Sequence, residues 1–195
     1  MSTAADQKLL EALAALAATL RSLSAPSMII GGIAVIAHGV PRLTVDIDAT
    51  VWSEELDLEH LFSTLASNGI EPRIRDALGF ARERQVLLLE HRSSGTPLEI
   101  TLASLPFERE ALERAAALPF AGLEVRVASP EDLVIYKALA WRDRDRPDIE
   151  RLLTLHGRSM NLDRVRRLVA EFAEILEDPE RVAGFEELAR RAGVA

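Results

Sequence analysis

Residues 31–48 read Gly31-Gly32-Ile33-Ala34-Val35-Ile36-Ala37-His38-Gly39-Val40-Pro41-Arg42-Leu43-Thr44-Val45-Asp46-Ile47-Asp48, and the order of residue types in this stretch decides the fold class. Met28–Ile30 just before it predicts a short strand running into the double glycine. Ile33–His38 predicts a short helix closed by Gly39 and Pro41. From Val45 to Val51 the residues alternate: Val45, Ile47, Ala49 and Val51 on one face, Asp46, Asp48 and Thr50 on the other. That predicts a strand with an acidic face. Two aspartates two apart on a strand point the same way, and their repulsion is unfavourable in a partly buried site unless a cation neutralises it. Magnesium fits, as a hard ion held by a few carboxylates and phosphates. Taken alone, Asp-x-Asp also suits an ordinary solvated strand face. The double glycine lies where backbone N–H groups can receive phosphate oxygens. It matches neither the P-loop nor the GxGxxG pattern, and taken alone it also suits a tight turn.

A third acid lies in Pro97-Leu98-Glu99-Ile100-Thr101-Leu102. If Glu99 shares the face of Asp46 and Asp48, the three acids can hold two divalent ions roughly 4 Å apart. Otherwise Glu99 is a solvent-facing residue of an edge strand. The remaining pattern predicts a helix over 7–22, a helix over 57–67, and strands at 71–75, 85–91 and 97–102. A helix over 107–117 and an extended segment over 123–127 follow. Ser129-Pro130-Glu131-Asp132 is a helix start, with a hydroxyl cap, proline in the first position and acids in the first turn. Helices are predicted at 130–141, 145–156, 161–176 and 179–191. The expected architecture is α/β (α+β): a mixed-sheet core over 1–127, followed by a helical C-terminal part over 128–195 packed on it.

Composition narrows the chemistry. The chain has 195 residues, 48% hydrophobic and 28% charged, the balance of a globular protein rather than a disordered tail. It contains no cysteine, which excludes disulfides, thiolate nucleophiles and cysteine-ligated metal centres. The histidines at 38, 60, 91 and 156 form no close pair, so a bound metal would be held by oxygen. A net charge of −8 opposes bulk coating of nucleic acid, although a local basic groove is compatible with it. No apolar run is long enough to span a membrane and the start lacks a secretory pattern, so a cytoplasmic location is expected. Lys137 stands out as one of two lysines among 23 basic residues. Arg73, Arg75, Arg82 and Arg84 suit either the rim of an acceptor groove or ordinary surface. Trp52, Trp141 and Tyr136 read as packing residues, and His38 as a loop-holding or substrate-contacting one.

Two motifs in order carry a resemblance. Gly31-Gly32, His38-Gly39, Arg42, Thr44, Asp46 and Asp48 form the first. The second is Ser129-Pro130-Glu131-Asp132-Leu133-Val134-Ile135-Tyr136-Lys137, followed by Arg142-Asp143-Arg144-Asp145-Arg146-Pro147-Asp148. Over about residues 28–153 the sequence resembles the minimal nucleotidyltransferases that include the AbiEii-type toxins, within the DNA polymerase β-like superfamily. The resemblance implies Asp46, Asp48 and Glu99 as catalytic carboxylates holding Mg2+ (or Mn2+), although aspartate is more usual at the third position. It implies Gly31, Gly32, Arg42, Thr44, Lys137, Arg142 and Arg144 as groups that bind the nucleoside triphosphate (NTP). Lys137, a flexible point charge, is also placed among the catalytic residues, while Asp145 and Asp148 orient the cations or cap a helix. The implied activity transfers a nucleoside monophosphate from an NTP to an acceptor hydroxyl. The toxin members point to RNA, particularly the 3' end of tRNA, as acceptor and to a cognate antitoxin as protein partner. Two alternatives stay open: transfer to a small molecule or protein, and a non-catalytic nucleotide- or protein-binding module.

Overall fold

The computed structural model describes residues 4–54 and 56–194. The chain divides into two compact units, Met1–Ala37 with Arg42–Ala128, and His38–Pro41 with Ser129–Ala195. The first is a mixed α/β core and the second is helical.

In chain order the first unit comprises α1 (Ala4–Ser22), β1 (Ser27–Ile30), α2 (Gly31–Ala37), β2 (Ile47–Trp52), α3 (Leu58–Ser67) and β3 (Ile70–Pro72). Then come α4 (Ala77–Arg84), β4 (Val86–His91), β5 (Pro97–Ala103), α5 (Pro106–Arg114), β6 (Ala116–Phe120) and β7 (Leu123–Val127). The strands form one sheet in the order β3-β4-β5-β2-β1-β7-β6. β2 runs parallel to β5 and antiparallel to β1. This register makes two unlike faces. Ile47, Ala49 and Val51 pair with Leu98, Ile100 and Leu102, and all six are buried with Leu87 and Leu89 of β4. Asp48 and Thr50 pair with Glu99 and Thr101 on the opposite face. Apolar burial on one face holds the register, because a slip of one residue would bring the acids into the core.

Several elements depart from the sequence pattern. The strand expected from Val45 starts at Ile47, and Val45 is 76% exposed rather than on the apolar face. Residues 41–46 have no regular secondary structure. Their alternation survives as an extended segment in which Arg42, Thr44 and Asp46 are half-buried while Pro41, Leu43 and Val45 face solvent. The strand expected at 71–75 is the shorter β3. Helix α4, which the pattern did not predict, buries only Ala81 and rests on an Asp76 cap, whose carboxylate accepts from Gly79 N at 3.1 Å. The helix expected over 107–117 ends at Arg114, and Ala116–Phe120 instead pairs with β7. Positive φ at Ala121 (47°) and Gly122 (86°) makes the two-residue turn between these strands.

The second unit holds α6 (Pro130–Ala140), α7 (Asp145–His156), α8 (Leu162–Ile175) and α9 (Glu180–Arg191), with one 3-10 turn at Gly157–Ser159. Ser129 caps α6 as its sequence predicts, accepting from Asp132 N at 3.1 Å and donating to Asp132 Oδ2 at 2.6 Å. Asp132 is fully buried, and Arg164 of α8 donates to it and to Glu131. Helix α6 ends at Trp141, whose left-handed φ of 51° is uncommon for a bulky residue. The buried Arg181 closes that end by donating to the carbonyls of Ala138 and Leu139. No described helix is long and apolar enough to cross a membrane.

Candidate active site

The strand β1 delivers Gly31 directly into the first turn of α2. Gly31 has a φ of 61°, a conformation that glycine adopts without a side-chain penalty. A Cβ there would overlap Asp48 Oδ2 and lie 2.7 Å from Asp48 Cγ. The backbone of Gly31 and the Asp48 carboxylate therefore occupy adjoining space that no other residue type would leave. Gly32 does the same for Thr44: an added Cβ would overlap Thr44 Oγ1, lie 2.8 Å from Thr44 Cβ and approach the Arg42 guanidinium carbon at 3.4 Å.

Thr44 extends the cluster to the first aspartate. Its hydroxyl lies 2.9 Å from Asp46 Oδ1, to which it donates, and 3.3 Å from Asp46 O. Arg42 Nε donates to Leu43 O at 3.1 Å, which pins the extended segment. Six expected site residues of the first unit, Gly31, Gly32, Arg42, Thr44, Asp46 and Asp48, thus form one continuous set of neighbours. Short-range chain geometry assembles them, because β1, α2 and β2 are consecutive and Ile30 pairs with Asp48 across the β1–β2 ladder.

Glu99 shares this face, since its Cα is the register partner of Asp48. Its carboxylate is engaged by Arg73, with Nη2 3.5 Å from Oε1. Among the described residues no three histidine, aspartate or glutamate side chains converge as a cation-holding group. The donors that fit a hard divalent cation are Asp46 and Asp48. Both supply oxygen, and two carboxylates completed by phosphates and water suit magnesium or manganese.

In the second unit, Lys137 is buried between two carboxylates, 2.7 Å from Asp148 Oδ2 and 3.2 Å from Asp145 Oδ1. Arg142 Nε donates to Asp145 Oδ2 at 2.7 Å, and its backbone N–H donates to the same oxygen at 3.2 Å. Burial pushes the Asp145 carboxyl up, but the Arg142 hydrogen bond and the charges of Lys137 and Arg142 outweigh it and hold the group below its ordinary value. Arg144 is exposed at the start of α7. His156 Nε2 lies 2.8 Å from His38 O, and the two imidazole rings meet edge to face with centroids 5.8 Å apart.

Of the four arginines read as groove or surface, Arg82 and Arg84 pair with Glu59 and Glu83, and Arg73 reaches the candidate site. Nothing in the local sequence of Arg73 marks that contact, which depends on strand pairing. Trp52 and Trp141 each carry an arginine over the ring, Arg109 at 5.5 Å and Arg146 at 5.4 Å.

A family model described as "Nucleotidyltransferase of unknown function (DUF6036)" matches residues 7–190. No curated protein matches the chain. Among solved structures, the chain is similar to JHP933 from Helicobacter pylori at 17% identity and a TM-score of 0.57, covering 100% of this chain and 92% of that one. It is similar to the antibiotic-resistance factor ANT(2'')-Ia at 23% identity and a TM-score of 0.59, covering 89% and 95%. An antigenic nucleotidyltransferase-like protein from Paracoccidioides brasiliensis gives 18% identity, a TM-score of 0.54 and 94% coverage of both chains. At these identities the likeness is one of fold.

Proposed function

The chain belongs to the family of nucleotidyltransferases of unknown function DUF6036, and from that premise we propose that it transfers a nucleoside monophosphate from an NTP to an acceptor hydroxyl. The acceptor oxygen bonds to the α-phosphorus, the bond to the bridging oxygen breaks, pyrophosphate leaves, and the hydroxyl proton passes to solvent or a carboxylate. The observation that carries this reading is the contiguity of Gly31 with Asp48 and of Gly32 with Thr44 and Asp46. The Asp48 carboxylate is held against backbone that bears no side chain, and Asp46 is tied to the second glycine through Thr44.

Each residue has a stated part. Asp46 and Asp48 would hold Mg2+ or Mn2+, and Glu99 is proposed as a third carboxylate that joins them only when Arg73 releases it. A bound cation supplies charge neutralisation at the phosphates. Thr44 orients Asp46 by its hydrogen bond. The backbone N–H groups of Gly31 and Gly32 are the proposed phosphate donors, and Arg42 adds positive charge beside them. In the second unit Lys137, Arg142 and Arg144 remain the proposed triphosphate contacts. The Lys137 ammonium, already held by Asp145 and Asp148, would work through that network.

Three acceptor classes are proposed. The toxin reading proposes the 3' end of tRNA, with a cognate antitoxin as partner. A solved complex of ANT(2'')-Ia holds adenylyl-2''-tobramycin, which supports a small-molecule acceptor, and a protein acceptor stands as a third choice. A non-catalytic binding module is favoured by one observation, the engagement of Glu99 by Arg73.

Transfer of label from α-labelled ATP, CTP, GTP and UTP with magnesium, into RNA, protein and small-molecule fractions, tests the proposal. Incorporation lost in Asp46→Asn and Asp48→Asn supports it and names the acceptor class. Nucleotide binding without incorporation in any fraction would replace it by the binding module.

A further inference from the structure

Four neighbouring strands place one rank of residues on the polar face of the sheet. Asp48 of β2 pairs with Glu99 of β5, and Glu99 pairs with Leu88 of β4. Arg73, one residue beyond β3, donates its backbone N–H to Leu88 O at 3.0 Å and so completes the rank. Neighbouring strands lie about 4.8 Å apart, so the Arg73 side chain must pass over Leu88 to meet Glu99. It does so, bringing Nη2 within 3.5 Å of Oε1. Within this rank the intervening residue is Leu88, whose apolar side chain offers the guanidinium no competing partner.

We propose that Arg73 is a positioning residue that sets how many carboxylates the cation site presents: by engaging Glu99 it leaves Asp46 and Asp48 as the two ligands of a divalent ion. This inference rests on the nucleotidyltransferase reading of Asp46 and Asp48. The physical basis is twofold. A carboxylate shared with a guanidinium is a weaker donor to a metal, and a fixed positive charge in the same rank as Asp48 repels a second cation. Both effects lower affinity for the free ion while leaving room for the negative charge of an incoming triphosphate. Glu99 is the register neighbour of Asp48, so releasing it adds a ligand without moving the backbone.

The test is calorimetric titration of Mn2+ alone, without nucleotide, into the full chain. Arg73→Gln is expected to tighten Mn2+ binding by about tenfold, the size of effect typical of groups that steer metal ligands. Arg73→Lys, which keeps the charge on a shorter stem, is expected to tighten Mn2+ binding less than Arg73→Gln does. The gain is expected to vanish in Arg73→Gln with Glu99→Gln. Affinity unchanged in Arg73→Gln, or a gain that survives Glu99→Gln, would overturn the assignment. Arg73→Met keeps the stem that crosses Leu88 and carries the same test if Arg73→Gln loses its cooperative melt. Mn2+ binding that persists in both Asp46→Asn and Asp48→Asn overturns the underlying site, a failure distinct from that of Arg73.

Discussion

Gly31 and Asp48 are mutually exclusive with any side chain between them: the space a Cβ would take at position 31 is already held by the Asp48 carboxylate. The left-handed φ of 61° adds a second, independent demand for glycine at the same position.

Gly31→Ala is therefore expected to cost stability through both overlap and backbone strain, by about 1–3 kcal/mol. Thermal denaturation of Gly31→Ala, Asp48→Ala and the double variant forms the check. The overlap part should be recovered when Asp48 is shortened, giving a favourable coupling between the two changes. Strict additivity would show that the two groups do not share space in solution.

Thr44→Val keeps the shape of the side chain but removes the donor to Asp46 Oδ1. Nucleotidyl transfer is expected to fall by about 10–100-fold with little change in melting temperature, since the lost hydrogen bond orients a proposed metal ligand. Thr44→Ser should restore most of the activity. Equal activity in Thr44→Val and the parent would remove Thr44 from the site.

The Lys137–Asp145–Asp148 cluster predicts acid sensitivity of the second unit. Asp145 is held below its ordinary value, so its stabilising contribution is present above the unfolded carboxylate value of about 3.9 and is lost as pH falls through the lower folded value. Urea unfolding followed at Trp141 in a Trp52→Phe background should show stability declining below about pH 4. Asp145→Asn should flatten that decline. Lys137→Met removes the cation shared by two buried carboxylates, of which Asp145 keeps Arg142, and is expected to lose about 3 kcal/mol.

Gly184 of α9 faces the Trp141 ring so closely that an added Cβ would overlap Cζ2 and lie 3.0 Å from Cη2. Gly184→Ala should lower stability by about 1–3 kcal/mol despite the higher helix propensity of alanine. Replacing Trp141 by leucine in the same chain should reverse the sign, which equilibrium unfolding can read.

Much of this architecture was legible residue by residue. The alternation at Ile47–Val51 marks the strand, and the Ser129-Pro130 start marks α6, because periodicity and capping act within a few residues. The grouping of Gly31, Gly32, Thr44, Asp46 and Asp48 is legible for the same reason, being built from consecutive elements. Where local preference is weak, the pattern failed. Ala116–Phe120 contains two alanines and a proline and becomes a strand only because β7 supplies partners for its backbone. Val45 belongs to the apolar series by spacing, yet it lies before the first ladder pair of β2 and stays in solvent.

Residue types and spacing determined the α/β class, the oxygen character of any metal site and the acids that would form it, since these follow from composition and strand period. Strand order decided the rest. The alignment of Asp48, Glu99, Leu88 and Arg73 joins segments up to 51 positions apart, and pairing between distant strands is chosen by burial of the shared apolar face rather than by any preference carried in the segments themselves. The same holds for Lys137, whose sequence marks a free cation but whose burial between Asp145 and Asp148 makes it part of an ion-pair network.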